Sequence, residues 1–78
     1  MLPEELAGLW KRQRGKCALT GRKLGRDAHL DHIIPVSRGG ECTINNLRCV
    51  CPEVNFIRGY LVDEEFVRLC RDVIAWSE

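Results

Sequence analysis

Side chains that could carry out chemistry are concentrated in residues 29–59 of this 78-residue chain. Asp31 and His32 are adjacent, a loop with a Gly-Gly pair follows, and Asn46 and Asn55 come next. Asp31 offers an oxygen ligand for a hard cation, and His32 offers a base that works near neutral pH. Asn55 adds a second oxygen ligand, and an arginine follows it after about one helical turn. These groups are what the hydrolysis of a phosphodiester requires.

The pattern around these residues predicts a small α+β domain in which a hairpin and a short helix position them. The predicted elements are a helix from Pro3 to near Gly15, a short strand at 17–19, strands at 29–34 and 47–51, a short helix at 52–58 and a last helix from Asp63. Pro52 suits the first position of the short helix, and Gly59 lies past its end. Seven residues do not hold a helix in isolation, so this helix must be pinned to the hairpin.

The last helix carries an apolar stripe that is typical of a helix packed on a core. Its members are Phe66, Leu69, Cys70, Val73 and Ile74, and Trp76 extends it. Five cysteines without a CxxC pair argue against a disulfide framework. We therefore expect thiols such as Cys70, Cys49 and Cys51 to be buried and to act as small hydrophobic groups.

Charge is distributed unevenly although the net charge is only +1. Residues 11–26 contain seven basic residues and no acid, whereas residues 63–78 are rich in acids. A basic patch of this kind is typical of a surface for a phosphate backbone, and a solvated basic helix face is the alternative. The candidate DNA-binding residues here are Lys11, Arg12, Arg14 and Lys23.

The location of the protein is expected to be cytoplasmic, without a membrane. No apolar run approaches the ~20 residues of a membrane helix. The first residues are acidic and then basic, which is the reverse of a secretory signal.

Residues 29–59, HLDHIIPVSRGGECTINNLRCVCPEVNFIRG, resemble the HNH endonucleases, which are also called the His-Me finger or ββα-metal family. The resemblance is close over residues 17–59, and CALTG and CPEVN look like zinc-free, phage-type members. It implies a single HNH nuclease domain over residues 1–78 that cleaves DNA with one divalent ion. The expected products are a 3′-hydroxyl and a 5′-phosphate.

The resemblance also implies a role for each polar residue of the motif. Asp31 and Asn55 would bind the metal, and His32 would be the general base. Neighbours in a regular strand point to opposite faces, so Asp31 and His32 can share a site only where the strand bends. A backbone-bonded core or loop histidine is the alternative for His32, and a solvent-facing helix residue is the alternative for Asn55.

Asn46 matches the middle residue of the motif, which in the family clamps the loop beside the catalytic histidine. Plain turn chemistry is an alternative for Asn46, and Asn45 could be the residue that matters instead. Arg38 and Arg58 are candidates for phosphate contact, because a guanidinium suits a bidentate grip on phosphate. His29 shares the face of Asp31 by strand parity and could reach the edge of the site.

Oxygen ligands favour Mg²⁺ or Mn²⁺ over zinc at this site. Many relatives hold a structural zinc with two CxxC knuckles. Here Thr20 and Val54 stand where the partners of Cys17 and Cys51 would be, so no structural zinc is expected.

The sequence thus predicts a metal-dependent DNA endonuclease, and nicking is expected because one site reaches one phosphate at a time. A DNA-binding or assembly module on the same scaffold, such as an accessory of phage packaging, is the alternative. Expected partners are DNA and possible phage or packaging proteins, and the expected state is a monomer or weak homodimer. Zinc deaminase and Cys-His nucleophile chemistries lack their motifs.

Overall fold

A computed structural model describes residues 2–77 of the chain. Its elements are α1 (Pro3–Arg12), β1 (His29–His32), β2 (Leu47–Val50), α2 (Pro52–Arg58) and α3 (Asp63–Ser77), with short 3₁₀ turns at Val36–Arg38 and Ile44–Asn46. This is a small α+β arrangement of three helices and a two-stranded sheet, as the sequence predicts.

The two strands form an antiparallel hairpin that sets which side chains face each other. Asp31 lies opposite Arg48, and His32 lies opposite Leu47. Both strands are shorter than predicted, because β1 ends at His32 and β2 ends at Val50. Residues beyond His32 leave the ladder and enter the loop, where a side chain rather than a partner strand bonds the main chain of Ile34.

Helix α2 has the predicted bounds and packs against β1. Pro52 occupies its first turn, and Gly59 ends it with a φ of 55°, a backbone conformation that favours glycine. Val54 and Arg58 are its buried residues. The hairpin and α2 therefore enclose a short interface that contains Asp31 on the strand side.

Helix α1 is joined to the outer edge of β2 through one side chain. Gln13 Oε1 accepts a hydrogen bond from the Cys49 amide at 2.8 Å, and its Nε2 donates to the Cys49 carbonyl at 2.8 Å. The side chain thus pairs with the edge of the sheet as a third strand would, and it supplies the acceptor for the Cys49 amide.

Residues 17–19 are not the predicted strand. One bridge joins Lys16 to Lys23, and the Ala18 amide donates a single hydrogen bond to the Cys49 carbonyl at 3.1 Å. The chain turns at once, since Gly21 donates to the Cys17 carbonyl at 2.9 Å and Cys17 donates to the Arg22 carbonyl at 2.7 Å. So tight a turn leaves no length for a strand.

The prediction that the stripe of α3 packs on a core is wrong. No residue within Asp63–Ser77 is buried, and Leu69, Val73 and Ile74 are about half exposed or more. Cys70 is also exposed, contrary to expectation, whereas Cys51 is buried and Cys49 is half-buried. The core lies instead between the turn after α1, the end of β2 and α2, and consists of Cys17, Leu24, Val50, Cys51 and Val54.

Candidate metal and catalytic site

Asp31 is the buried carboxylate at the centre of the site, with 3% of its surface exposed. Its Oδ2 accepts a hydrogen bond from Arg48 Nε at 3.0 Å, and its Oδ1 accepts a short one from Arg58 Nη2. A buried charge is tolerated only when it is paired in this way. Asp31 is therefore fixed between one strand and one helix.

The ion pairs continue from Asp31 to the start of α3. Arg48 donates from its Nη1 and Nη2 to the two carboxylate oxygens of Asp63, at 2.6 and 2.7 Å. These hydrogen bonds lower the pKa of the Asp63 carboxyl. Two carboxylates and two guanidinium groups thus form one neutral cluster, whose members are Asp31, Arg48, Arg58 and Asp63.

Sequence reasoning missed Arg48 and Asp63 as parts of this site. Asp63 is an acid in the first turn of α3, where acids are common, so nothing in the sequence indicates that it pairs with Arg48. Arg48 is a charged residue between apolar residues of a strand, and its place opposite Asp31 follows once the hairpin register is known. The register depends on the course of the loop between the strands, which the sequence does not specify.

Asn55 lies on α2 and faces the same side of the hairpin as Asp31. Its Nδ2 is 2.8 Å from Nδ1 of His29, a residue two positions before Asp31 in β1. When the amide nitrogen donates to this imidazole, the amide oxygen of Asn55 points elsewhere and keeps its lone pairs. The structure thus brings His29 and Asn55 together, on the strand face that also carries Asp31.

His32 is the last residue of β1, where the strand gives way to the loop. Its Nε2 is buried and finds no hydrogen-bond partner among residues 2–77. Buried polar atoms are almost always paired, so an unpaired imidazole nitrogen is unusual. Nε2 is also shielded, and a water molecule reaches it only if neighbouring side chains move.

Asn46 holds the loop that follows His32. Its Oδ1 accepts from the Ile34 amide at 2.9 Å, and its Nδ2 donates to the carbonyls of Ile34 and Glu41 at 3.0 and 2.8 Å. Gly40 lies so close that a Cβ there would overlap the Ile34 carbonyl oxygen. The loop contacts belong to Asn46, whereas the Asn45 side chain is exposed.

The two arginines predicted to bind phosphate are both engaged in ion pairs. Arg58 is only 3% exposed, and besides Asp31 it donates to the carbonyls of His32 at 2.9 Å and Leu61 at 2.6 Å. Arg38 is a partly exposed loop residue, and its Nη1 lies 2.8 Å from Glu65 Oε1. Arg38 can exchange this partner for phosphate at little cost, because exposed ion pairs contribute little. Arg58 would have to leave a buried carboxylate.

Three of the four candidate DNA-binding residues at the end of α1 and beyond share a pocket. Lys11, Arg14 and Lys23 line one depression together with Trp10. Arg12 is exposed on α1 and does not line this depression. Three of the four basic residues therefore surround one depression, and they do not cover a whole face of α1.

Of the four positions compared with the zinc knuckles of relatives, three lie in the core and Thr20 is exposed. Cys17, Cys51 and Val54 belong to one apolar cluster. Burial raises the pKa of the Cys17 thiol, but hydrogen bonds with Thr20 and with the backbone of Cys51 outweigh it and lower the pKa to about 7. Cys17 and Cys51 thus take part in apolar packing and hydrogen bonding within the protein.

The donor atoms near Asp31 suit a hard cation but are few. Among residues 2–77, no three His, Cys, Asp or Glu side chains are grouped so that they could hold a metal ion. A carboxylate has about four lone-pair sites, and the two arginines use two of those of Asp31. Mg²⁺ is commonly bound through one or two carboxylates, with water and substrate phosphate completing its shell, and Asp31 would be that carboxylate here.

Comparison with protein families identifies the chain. The family model described as HNH endonuclease matches residues 15–55, which is more than half of the sequence and includes Asp31, His32, Asn46 and Asn55. The chain belongs to the HNH endonuclease family. This membership indicates nuclease activity with DNA as the substrate, and nucleases of the family typically use a divalent metal.

A search of the curated proteins found no match to this HNH chain. Within residues 2–77, no helix is long and apolar enough to cross a membrane.

Proposed function

We propose that this HNH domain, which spans residues 1–78, is a metal-dependent endonuclease that hydrolyses DNA phosphodiester bonds and leaves a 3′-hydroxyl and a 5′-phosphate. The observation that carries the proposal is the buried, unpaired Nε2 of His32. His32 follows Asp31, whose carboxylate is buried, in the segment that matches the family model. An imidazole nitrogen without a protein partner can accept a proton from an attacking water once neighbouring side chains move to admit that water.

Two side chains hold the backbone around His32. Asn46 bonds the main-chain amide and carbonyl of Ile34, which lies two residues after His32. Arg58 bonds the carbonyl of His32 itself at 2.9 Å. The backbone on either side of the imidazole is therefore held, and a general base contributes most when its position is fixed.

Asp31 and Asn55 are the residues that would hold the divalent ion, and their oxygen donors favour Mg²⁺ or Mn²⁺. The ion would supply electrostatic stabilisation of the charge that develops on the phosphate and on the leaving 3′ oxygen. Arg48 and Arg58 hold the Asp31 carboxylate in place. Of the candidates Arg38 and Arg58, Arg38 is the more accessible to phosphate.

Plasmid cleavage tests the proposal. Supercoiled plasmid incubated with the protein should be cut with Mg²⁺ or Mn²⁺ and remain intact with a chelator. The His32→Ala variant should lose on the order of 10²–10⁴-fold in rate and keep its circular dichroism spectrum and its binding of DNA in chelator. Equal cleavage by His32→Ala and the unmodified protein would remove the assignment of the base.

A DNA-binding or assembly module with weak or no cleavage is the second candidate, for example an accessory of phage packaging. One observation favours it: both oxygens of Asp31 bond to arginines, and the cluster is neutral without an added ion. Such a module would bind DNA in the same assay without cutting it under any metal condition. Asp31→Asn would then reduce folding stability without any change in DNA cleavage.

A further inference from the structure

The end of α1 carries an exposed aromatic ring surrounded by cations. Trp10 is 39% exposed, and it lines a pocket of about 390 Å³ together with Lys11, Arg14, Gly15, Lys23 and Leu24. Three of these residues are basic, and no carboxylate is among the described residues that line the pocket. An aromatic face beside several cations is what proteins use to bind an unpaired nucleotide.

The backbone brings these residues together in a specific way. After α1 the chain reverses through Arg14 and Gly15, which have φ values of 56° and 65°. A Cβ on Gly15 would lie 3.3 Å from Cζ2 of Trp10, so the indole packs against a position without a side chain. Lys23 reaches the same place because Leu24 donates a hydrogen bond to the Gly15 carbonyl at 2.8 Å.

Other parts of the molecule have features that point less clearly to a ligand. The depression on α3 is lined by acids and bases together, which gives it no net preference for an anion. The apolar stripe of α3 is exposed, but nothing in the structure says what covers it. The pocket at Trp10 combines a flat apolar surface with charge of one sign.

We propose that the Trp10 pocket binds an unpaired nucleotide of DNA, with the base stacked on the indole and its phosphates held by Lys11, Arg14 and Lys23. Bases inside a duplex are already stacked and offer no free face to Trp10. The preferred substrate is therefore DNA with single-stranded nucleotides near the cut, such as a gap, flap or fork. This choice of substrate rests on the proposed endonuclease function, whereas the binding site itself does not.

The position of the pocket suits a strand that also reaches the HNH site. Gln13 ties the end of α1 to Cys49 of β2, and β2 pairs with the strand that carries Asp31. An acidic peptide is a weaker fit than a nucleotide, because carboxylates would engage the cations and leave the indole without a partner. A nucleotide uses both parts of the pocket.

Intrinsic fluorescence tests the proposal directly. The chain has two tryptophans, and Trp76 is 92% exposed, so a Trp76→Phe protein reports on Trp10 alone. This protein is titrated, in chelator, with a thymine oligonucleotide of about 12 nucleotides or with a duplex of the same length. We expect the single strand to quench Trp10 and to bind more tightly than the duplex.

Variants separate stacking from charge in binding of a dye-labelled single strand. Trp10→Leu should weaken binding roughly 5- to 100-fold, and Trp10→Phe should keep most of it because a ring remains. Lys23→Gln should lower the salt slope by about 0.7, whereas Arg68→Gln, the same charge change on α3 outside the pocket, should lower it less. Circular dichroism checks that each variant is folded.

The proposal is overturned if the duplex binds as tightly as the single strand, or if folded Trp10→Leu binds the single strand as well as the parent does. Displacement of the oligonucleotide from Trp10 by a polyglutamate peptide at equal concentration would also overturn it and assign the pocket to an acidic protein. Because these measurements need no cleavage, their result is separate from the plasmid assay. If the protein cuts intact duplex without a preference for single-stranded nucleotides, the inferred substrate preference is wrong and the proposed endonuclease function is unaffected.

Discussion

Asn46 makes more hydrogen bonds to the main chain of the site than any other side chain in the loop after His32. It bonds the amide and the carbonyl of Ile34 and the carbonyl of Glu41. Its neighbour Asn45 has an exposed side chain at the rim of the same turn. These two asparagines therefore form a matched pair for testing whether the clamp supports catalysis.

We expect Asn46→Ala to destabilise the protein by about 1–3 kcal/mol, because three hydrogen bonds to the main chain of Ile34 and Glu41 are lost. Cleavage by the folded variant should also fall, since His32 is no longer held. Asn45→Ala should change stability by less than about 0.5 kcal/mol. Thermal unfolding and plasmid cleavage measure both effects, and equal behaviour of the two variants would contradict a clamp at Asn46.

At the scale of elements, α3 is attached through polar contacts in its first turn. Asp63 bonds Arg48 of β2, and Glu65 bonds Arg38 of the loop at 2.8 Å. The later turns carry the apolar stripe, which remains exposed. Ion pairs rather than a hydrophobic interface thus set where α3 begins, and this attachment should depend on pH.

Asp63→Asn should lower the free energy of unfolding at pH 7 by about 1–2 kcal/mol, a modest loss because 35% of the Asp63 side chain is exposed. Arg48 lowers the pKa of Asp63 in the folded state, so its contribution is complete above the unfolded value of ~3.9 and is lost as pH falls through the lower folded value. Urea unfolding of both proteins from neutral to acidic pH measures this.

The difference between the unmodified protein and Asp63→Asn should therefore shrink below about pH 4. Glu64→Gln is the control, since Glu64 is the neighbouring exposed acid on the same helix. A stability difference that is constant with pH would show that the Arg48–Asp63 pair does not stabilise the fold.

At the scale of the whole molecule, the number of sites limits what one copy of this domain can do. The chain has 78 residues and a single motif with one Asp31-His32 pair. Cutting both strands of a duplex in one encounter requires a second site in the opposite orientation, as a two-fold dimer provides. Catalysis on one strand needs no second copy.

Supercoiled plasmid should therefore become open circles first, and linear DNA should accumulate only after independent nicks. Gel electrophoresis over a time course distinguishes these products. Linear DNA from the earliest time points, at protein concentrations far below that of the plasmid, would instead identify a dimer as the active unit.

The sequence by itself determined the three helices, the hairpin and the bounds of α2, because residues such as Pro52 and Gly59 act through local backbone preferences. It also singled out Asp31, His32, Asn46 and Asn55, since their residue types and order follow a family motif. Local chemistry of this kind is readable without the fold.

Tertiary structure alone decided the partners of these residues. Arg48 and Asp63 join Asp31 only because the hairpin register and the start of α3 bring distant parts of the chain together. Arg58 is buried rather than exposed for the same reason. The apolar stripe of α3 has the spacing of a helix that packs on a core. This spacing indicates which side of the helix is apolar, but it does not indicate whether another element covers that side.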